Sequence, residues 1–161
     1  MVVLGYVLYD DDELTLTSPT QAEYTAGCPR ETFATTQVVN VTNTTAKELT
    51  ATLDRIVARC SFVLTDEAIP SDVKKLQFYY TGGSGAFNAA TGLGSVASKQ
   101  TVTFDVSSGS QKQFDLYTFL HDLSDTIALK VTALDASGNV LYERNLIEHR
   151  GSKKTGGYHA L

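Results

Sequence analysis

From Leu53 to Tyr80 the chain reads LDRIVARCSFVLTDEAIPSDVKKLQFYY, and its first half alternates without a break. Ile56, Ala58, Cys60, Phe62 and Leu64 fall on one side, and Arg55, Val57, Arg59, Ser61 and Val63 on the other. A period of two marks a strand with one face in a core. Leu76, Phe78 and Tyr80 repeat the pattern against Lys75, Gln77 and Tyr79. Ile69-Pro70-Ser71-Asp72 interrupts it, because proline fixes φ and carries no N–H. The segment therefore predicts two strands joined by a proline turn. The first, Arg55 to Leu64, should be central, with Phe62 fully buried.

The same pattern runs through the rest of the chain. Strands are expected at Val2 to Tyr9, Leu14 to Thr17, Phe33 to Thr42, Gln100 to Val106 and Gln113 to Leu120, with shorter ones at Ala86 to Ala89 and Tyr158 to Leu161. Gln21 to Glu31 reads as a loop, and Thr81 to Ser98 as a long Gly/Ser/Ala-rich excursion. Ile127, Leu129, Val131 and Ala133 predict a final hairpin with the strand from Val140, across a loop containing Gly138. No segment has helical amphipathicity and no repeat is visible. Roughly 7–10 short strands with turn signals between them predict an all-β sandwich.

A chain of 161 residues fits a single domain, residues 1–161, large enough to fold without staples. The net charge of −5 and scattered Lys and Arg argue against nucleic acid. No apolar run is long enough for a membrane span. No signal peptide is visible, which taken literally means a cytoplasmic protein. Two cysteines are too few for a disulfide scaffold. Cys60, on an apolar strand face, is most simply a small core residue. A Cys28–Cys60 bridge stays open, on condition that the Cα atoms lie within about 7 Å.

Candidate chemistry is sparse. Asp10 to Glu13 are consecutive acids that point alternately on a strand end and cannot converge on calcium. Thr81-Gly82-Gly83-Ser84-Gly85 lacks the following Lys and helix of a phosphate loop, and reads as a flexible loop. His121, His149 and His159 are isolated, so no metal site is expected. Nothing suggests a catalytic triad or a carboxylate pair. The expectation is therefore no catalytic residue, no cofactor and no enzyme. Tyr79 and Tyr80 stand on opposite faces of one strand, and with Phe87 and Tyr117 they could form an aromatic surface for sugar or a partner. The plainer alternative is that they cap the core. Val2 to Tyr9 is apolar on both faces, Val3 and Val7 on one and Leu4, Tyr6 and Leu8 on the other, as expected of a strand buried between layers. Being terminal, it is a candidate partner strand.

Several of these segments together resemble the fimbrillin-like adhesins of Bacteroidales, especially their fimbrial anchor and accessory subunits. The resemblance rests on Leu53-Asp54-Arg55-Ile56-Val57-Ala58-Arg59, then Ile69-Pro70 and Val73, then the turn Asp135-Ala136-Ser137-Gly138-Asn139-Val140 between two strands. It covers roughly residue 50 to the C-terminus. It implies a transthyretin-like Greek-key sandwich and a non-enzymatic adhesin or fimbrial (pilus) subunit acting by strand pairing. It also implies export to the outer membrane surface or the extracellular space, often as a lipoprotein. That agrees with the missing signal if the chain is a mature or trimmed fragment. Partners would be other fimbrial or surface proteins, or a host or bacterial surface ligand. Asp125-Thr126-Ile127 is similar to the O-glycosylation sequon of exported proteins of this group, which would make Thr126 the acceptor. The rival reading is a glycan-binding β-sandwich module of a secreted uptake or degradation system.

Overall fold

The computed structural model describes residues 2–6, 14–18, 20–24, 27–38, 48, 50–122, 126–150 and 158–159. Within them the fold is all-β. The strands in chain order are β1 (Val2–Tyr6), β2 (Leu14–Ser18), β3 (Gln21–Tyr24), β4 (Thr32–Thr36), β5 (Asp54–Arg55), β6 (Ala58–Val63) and β7 (Lys75–Ser84). There follow β8 (Ala86–Asn88), β9 (Ala97–Asp105), β10 (Gln113–Thr118), β11 (Thr126–Leu134), β12 (Val140–Arg150) and β13 (Tyr158–His159). These thirteen strands exceed the roughly 7–10 expected from the pattern. The surplus comes from elements of two to four residues, too short for a hydrophobic period to register.

The strands form four sheets, ordered β12-β11-β7-β9, β10-β6-β13, β2-β3-β8 and β1-β4-β5. All pairings are antiparallel except β13 on β6. The two strands flanking Pro70 do not pair with each other. β6 joins β10, while β7 lies between β9 and β11. The proline turn therefore carries the chain from one sheet to the facing one. Cys60, Phe62 and Leu64 meet Leu76, Phe78 and Tyr80 across a shared core. Phe78, fully buried, sits at its centre with the rings of Phe62, Phe104 and Phe114 at 5.2, 5.7 and 5.7 Å. Phe62 is half-buried and not fully enclosed, because its strand lies beside an open groove.

A second apolar cluster joins Leu14, Ala22, Tyr24, Ala34, Ile56, Val57, Phe87 and Phe119. Ile56 and Val57 are both buried there, so the strict alternation of this segment breaks between β5 and β6. Gln21 to Tyr24, expected as loop, is a strand that pairs with β2 and β8. Its Ala22 and Tyr24 point inward, a two-residue signal that the neighbouring turn residues hid.

Thr81 to Gly85 is likewise no flexible loop. Strand β7 runs on through Ser84, and its two glycines permit the close approach of neighbouring segments. A Cβ on Gly82 (φ +96) would lie 2.0 Å from the Thr126 carbonyl oxygen, and one on Gly83 would lie 2.0 Å from Thr118 Oγ1. The buried Ser84 then anchors the bend into β8. It exchanges backbone hydrogen bonds with Phe119 at 2.8 and 3.0 Å, and its Oγ accepts from the N–H groups of Ala86 and Val96 at 3.2 and 3.1 Å.

The final hairpin forms as expected. Asp135 Oδ1 accepts from the N–H groups of Ser137 and Asn139, each at 2.8 Å, and Gly138 takes φ +86. These bonds to the charged form hold the Asp135 carboxyl below its ordinary value, the Asn139 side chain contributing most.

Candidate functional site

Strand β6 has one well-paired edge and one that, among the described residues, is paired over two residues only. Its Leu64 N–H donates to the Lys112 carbonyl on the β10 side at 2.9 Å. Successive backbone groups of an extended strand point to opposite edges. The N–H and C=O of Val63 therefore face away from β10. On that side β13 pairs in parallel with Cys60 and Ser61 only. Beyond Ser61, no described residue continues the ladder.

Across from this edge stands the inner face of β12. The register puts Leu146 opposite Leu129, Arg144 opposite Val131 and Tyr142 opposite Ala133. Strand β12 is the outermost of its sheet, so it overhangs the narrower facing sheet. Tyr142, on this inner face, is 63% exposed, unusual for an apolar side chain on a core-facing side, and Val63, on the outer face of β6, is 37% exposed. Between the two strands lies a groove of about 480 Å³, floored by Phe62, Leu64, Val131 and Ala133 and closed at its ends by Asp66, Glu143 and Arg144. Such an arrangement offers an added strand both backbone partners and apolar side-chain sites.

None of these groove residues was singled out from the sequence. Val63 falls on the outer face of β6 and Tyr142 on the inner face of β12, both in otherwise ordinary alternating strands. Only the strand order shows that one lies at an open edge and the other on an overhang.

The residues that were singled out are scattered. Tyr80 and Phe87 are core side chains, 3% and 0% exposed, and cannot belong to an aromatic surface. Tyr80 Oη donates to the Tyr117 carbonyl at 2.8 Å, and burial pushes its pKa far above the ordinary phenol value. The half-buried Tyr117 packs on the second cluster, and burial, then Asp115 and Glu31, raise its pKa. Tyr79 alone faces outward, on the opposite side of β7 from the core. Val3, Leu4 and Tyr6 lie in β1, the outer strand of the β1-β4-β5 sheet, while Val7 and Leu8 lie outside the described residues. Thr126 is exposed at the first position of β11. Asp10 to Glu13 are outside the described residues up to Glu13, so their geometry adds nothing.

Cys28 and Cys60 are not joined in a disulfide. Burial, then the Asp115 carboxylate, raises the Cys60 pKa, as expected of an inert core thiol. His121 Nδ1 donates to the Gly94 carbonyl at 3.0 Å. Among the described residues no three His, Cys, Asp or Glu side chains converge as metal ligands.

The described residues form an all-β fold in which one edge of β6 is paired over two residues only. The family model of the fimbrillin-A associated anchor proteins Mfa1 and Mfa2 matches residues 10–156, and the chain belongs to that family. A crystal structure of a candidate adhesin from Bacteroides ovatus ATCC 8483 shares the fold, with a TM-score of 0.61 over 99% of this chain and 70% of that one at 16% identity. No curated protein matches in sequence.

Proposed function

We propose that this protein is a non-enzymatic, fimbrium-associated subunit of the cell surface that engages other fimbrial proteins by strand pairing at the β6–β12 groove. The observation that carries the reading is the edge at Val63, which no described residue pairs, beside the overhanging Tyr142 and Leu146. An incoming strand would hydrogen-bond to that edge and place alternate side chains over Phe62, Val131 and Ala133. Family membership supports the surface role and the class of partner. The two-residue β13 shows that β6 accepts a parallel strand on this side. The candidate donors are residues 151–161, which include β13, and then the β1 segment.

Synthetic peptides covering residues 2–9 and 151–161 test this when titrated against the full chain and against Val63→Pro. Proline removes the Val63 N–H and is tolerated at a strand edge. A strand that binds only the native state raises the melting temperature by mass action. The expected result is a rise with at least one peptide that Val63→Pro abolishes. If neither peptide moves the melting curve, or Val63→Pro responds as the parent does, pairing at this edge is wrong.

A further inference from the structure

The opposite face of the β12-β11-β7-β9 sheet carries a second feature, independent of the groove. One cross-strand row there reads Asn145, Lys130, Tyr79 and Thr101, each directly opposite the next in register. Beside it Ala128 stands opposite Thr81. The small alanine between longer neighbours leaves a depression of about 570 Å³, walled by Tyr79, Thr81, Lys130 and Asn145. That volume falls within the range of small-ligand sites, about 300–1,000 Å³.

The chemistry of the walls selects among ligands. Strands β7 and β11 are interior to the sheet, so most of the backbone around the depression is committed to neighbouring strands, and only β12 lies at an edge. The Lys130 ammonium is held by Glu143 at 3.0 Å, so the site carries no uncompensated charge with which to select an anion. What remains is an outward aromatic ring, an exposed amide with donor and acceptor ends, and hydroxyls. Lys130 Nζ stands over the Tyr79 ring, 5.9 Å from its centroid and at the outer limit of a cation–π contact of about 6 Å, so a ligand that stacks there displaces a weak contact. A pyranose matches this set. Its C–H face packs on a ring, and its rim of hydroxyls both donates and accepts.

We propose that the depression around Tyr79, Ala128, Lys130 and Asn145 binds a neutral pyranose residue of a surface glycan. Tyr79 supplies the stacking surface, Asn145 a two-ended hydrogen-bond partner, and Ala128 the room.

The test is an immobilised panel of neutral and acidic oligosaccharides probed with the full chain, followed by titration of the strongest binder watched through the backbone amide resonances. The expected result is binding of neutral glycans, with shifts centred on Tyr79, Lys130 and Asn145. Tyr79→Ala should weaken it about tenfold or more, and Asn145→Ala several-fold. Tyr79→Phe should retain most of it, since the ring remains, and Val63→Pro should leave it unchanged. That last variant separates this site from strand pairing. No binding anywhere on the panel would overturn the proposal, as would exclusive binding of acidic glycans. Equal binding by Tyr79→Ala with an unchanged fold would do so too.

Discussion

Replacing Phe78 by alanine probes the main core where it is densest. The side chain is fully buried and lies 5.2 to 5.7 Å, centroid to centroid, from three other rings. Truncating a buried Phe removes its transfer free energy and leaves a cavity, together costing about 3–5 kcal/mol. Each aromatic pair adds about 0.5–1.5 kcal/mol beyond area, though the three pairs share one ring and do not sum. Phe78→Ala should therefore cost about 4–5 kcal/mol, near the top of the range. For a chain of this size the melting temperature should fall by about 10–15 °C. Phe62→Ala removes one of the same pairs from a half-buried site, and should cost about 2–3 kcal/mol. Urea unfolding of the parent and both variants, with equal m-values, gives the comparison directly. A cost for Phe78→Ala below about 1 kcal/mol, or below that of Phe62→Ala, would refute the placement of the core centre.

Further outcomes follow from the turns and side chains. Gly82→Ala combines a positive φ with a clash against the Thr126 backbone, and should cost about 1–3 kcal/mol by thermal unfolding. The Asp135 carboxyl has a folded pKa below its unfolded one. Its stabilising contribution is therefore present above the ordinary carboxylate value and lost as pH falls through the depressed folded value. Asp135→Asn should remove that part of the acid dependence, seen as a flatter melting temperature in the acidic range. EDTA should leave the melting temperature unchanged, and a drop of several degrees would reveal a metal.

The fold class was legible in the sequence because the strongest strands bury one face each. The period of two in Ile56 to Leu64 and Leu76 to Tyr80 reports that directly. The partners of those strands were not legible, because alternation shows that a strand has an inner face but not which sheet holds it. Alternation and a proline turn leave open whether β6 and β7 pair, and in the fold they face each other across Phe62 and Phe78. Glycine misled for a different reason. Gly82 and Gly83 have the composition of a loop, but here they let Thr126 and Thr118 crowd against an extended strand. The groove escaped notice because an unpaired edge is a property of topology, and Val63 looks like any exposed strand residue. Tyr79 was the one aromatic candidate placed outward, and the alternation of β7 sufficed to separate it from Tyr80.

The continuity of β7 into β8 has a mechanical consequence. Leu76, Phe78 and Tyr80 belong to one apolar cluster and Phe87 to the other, so a single extended segment is built into both. Tension entering the β2-β3-β8 sheet passes into the β12-β11-β7-β9 sheet along backbone, with only Gly85 between the two strands. The interior ladders of β7 with β9 and β11 then carry the load in shear, many hydrogen bonds at once. Among the described residues the shortest ladders, β13–β6 and β4–β5, span two residue pairs each and lie outside this path. A pull on one apolar cluster therefore reaches the other through continuous backbone, and the two bear it as one body.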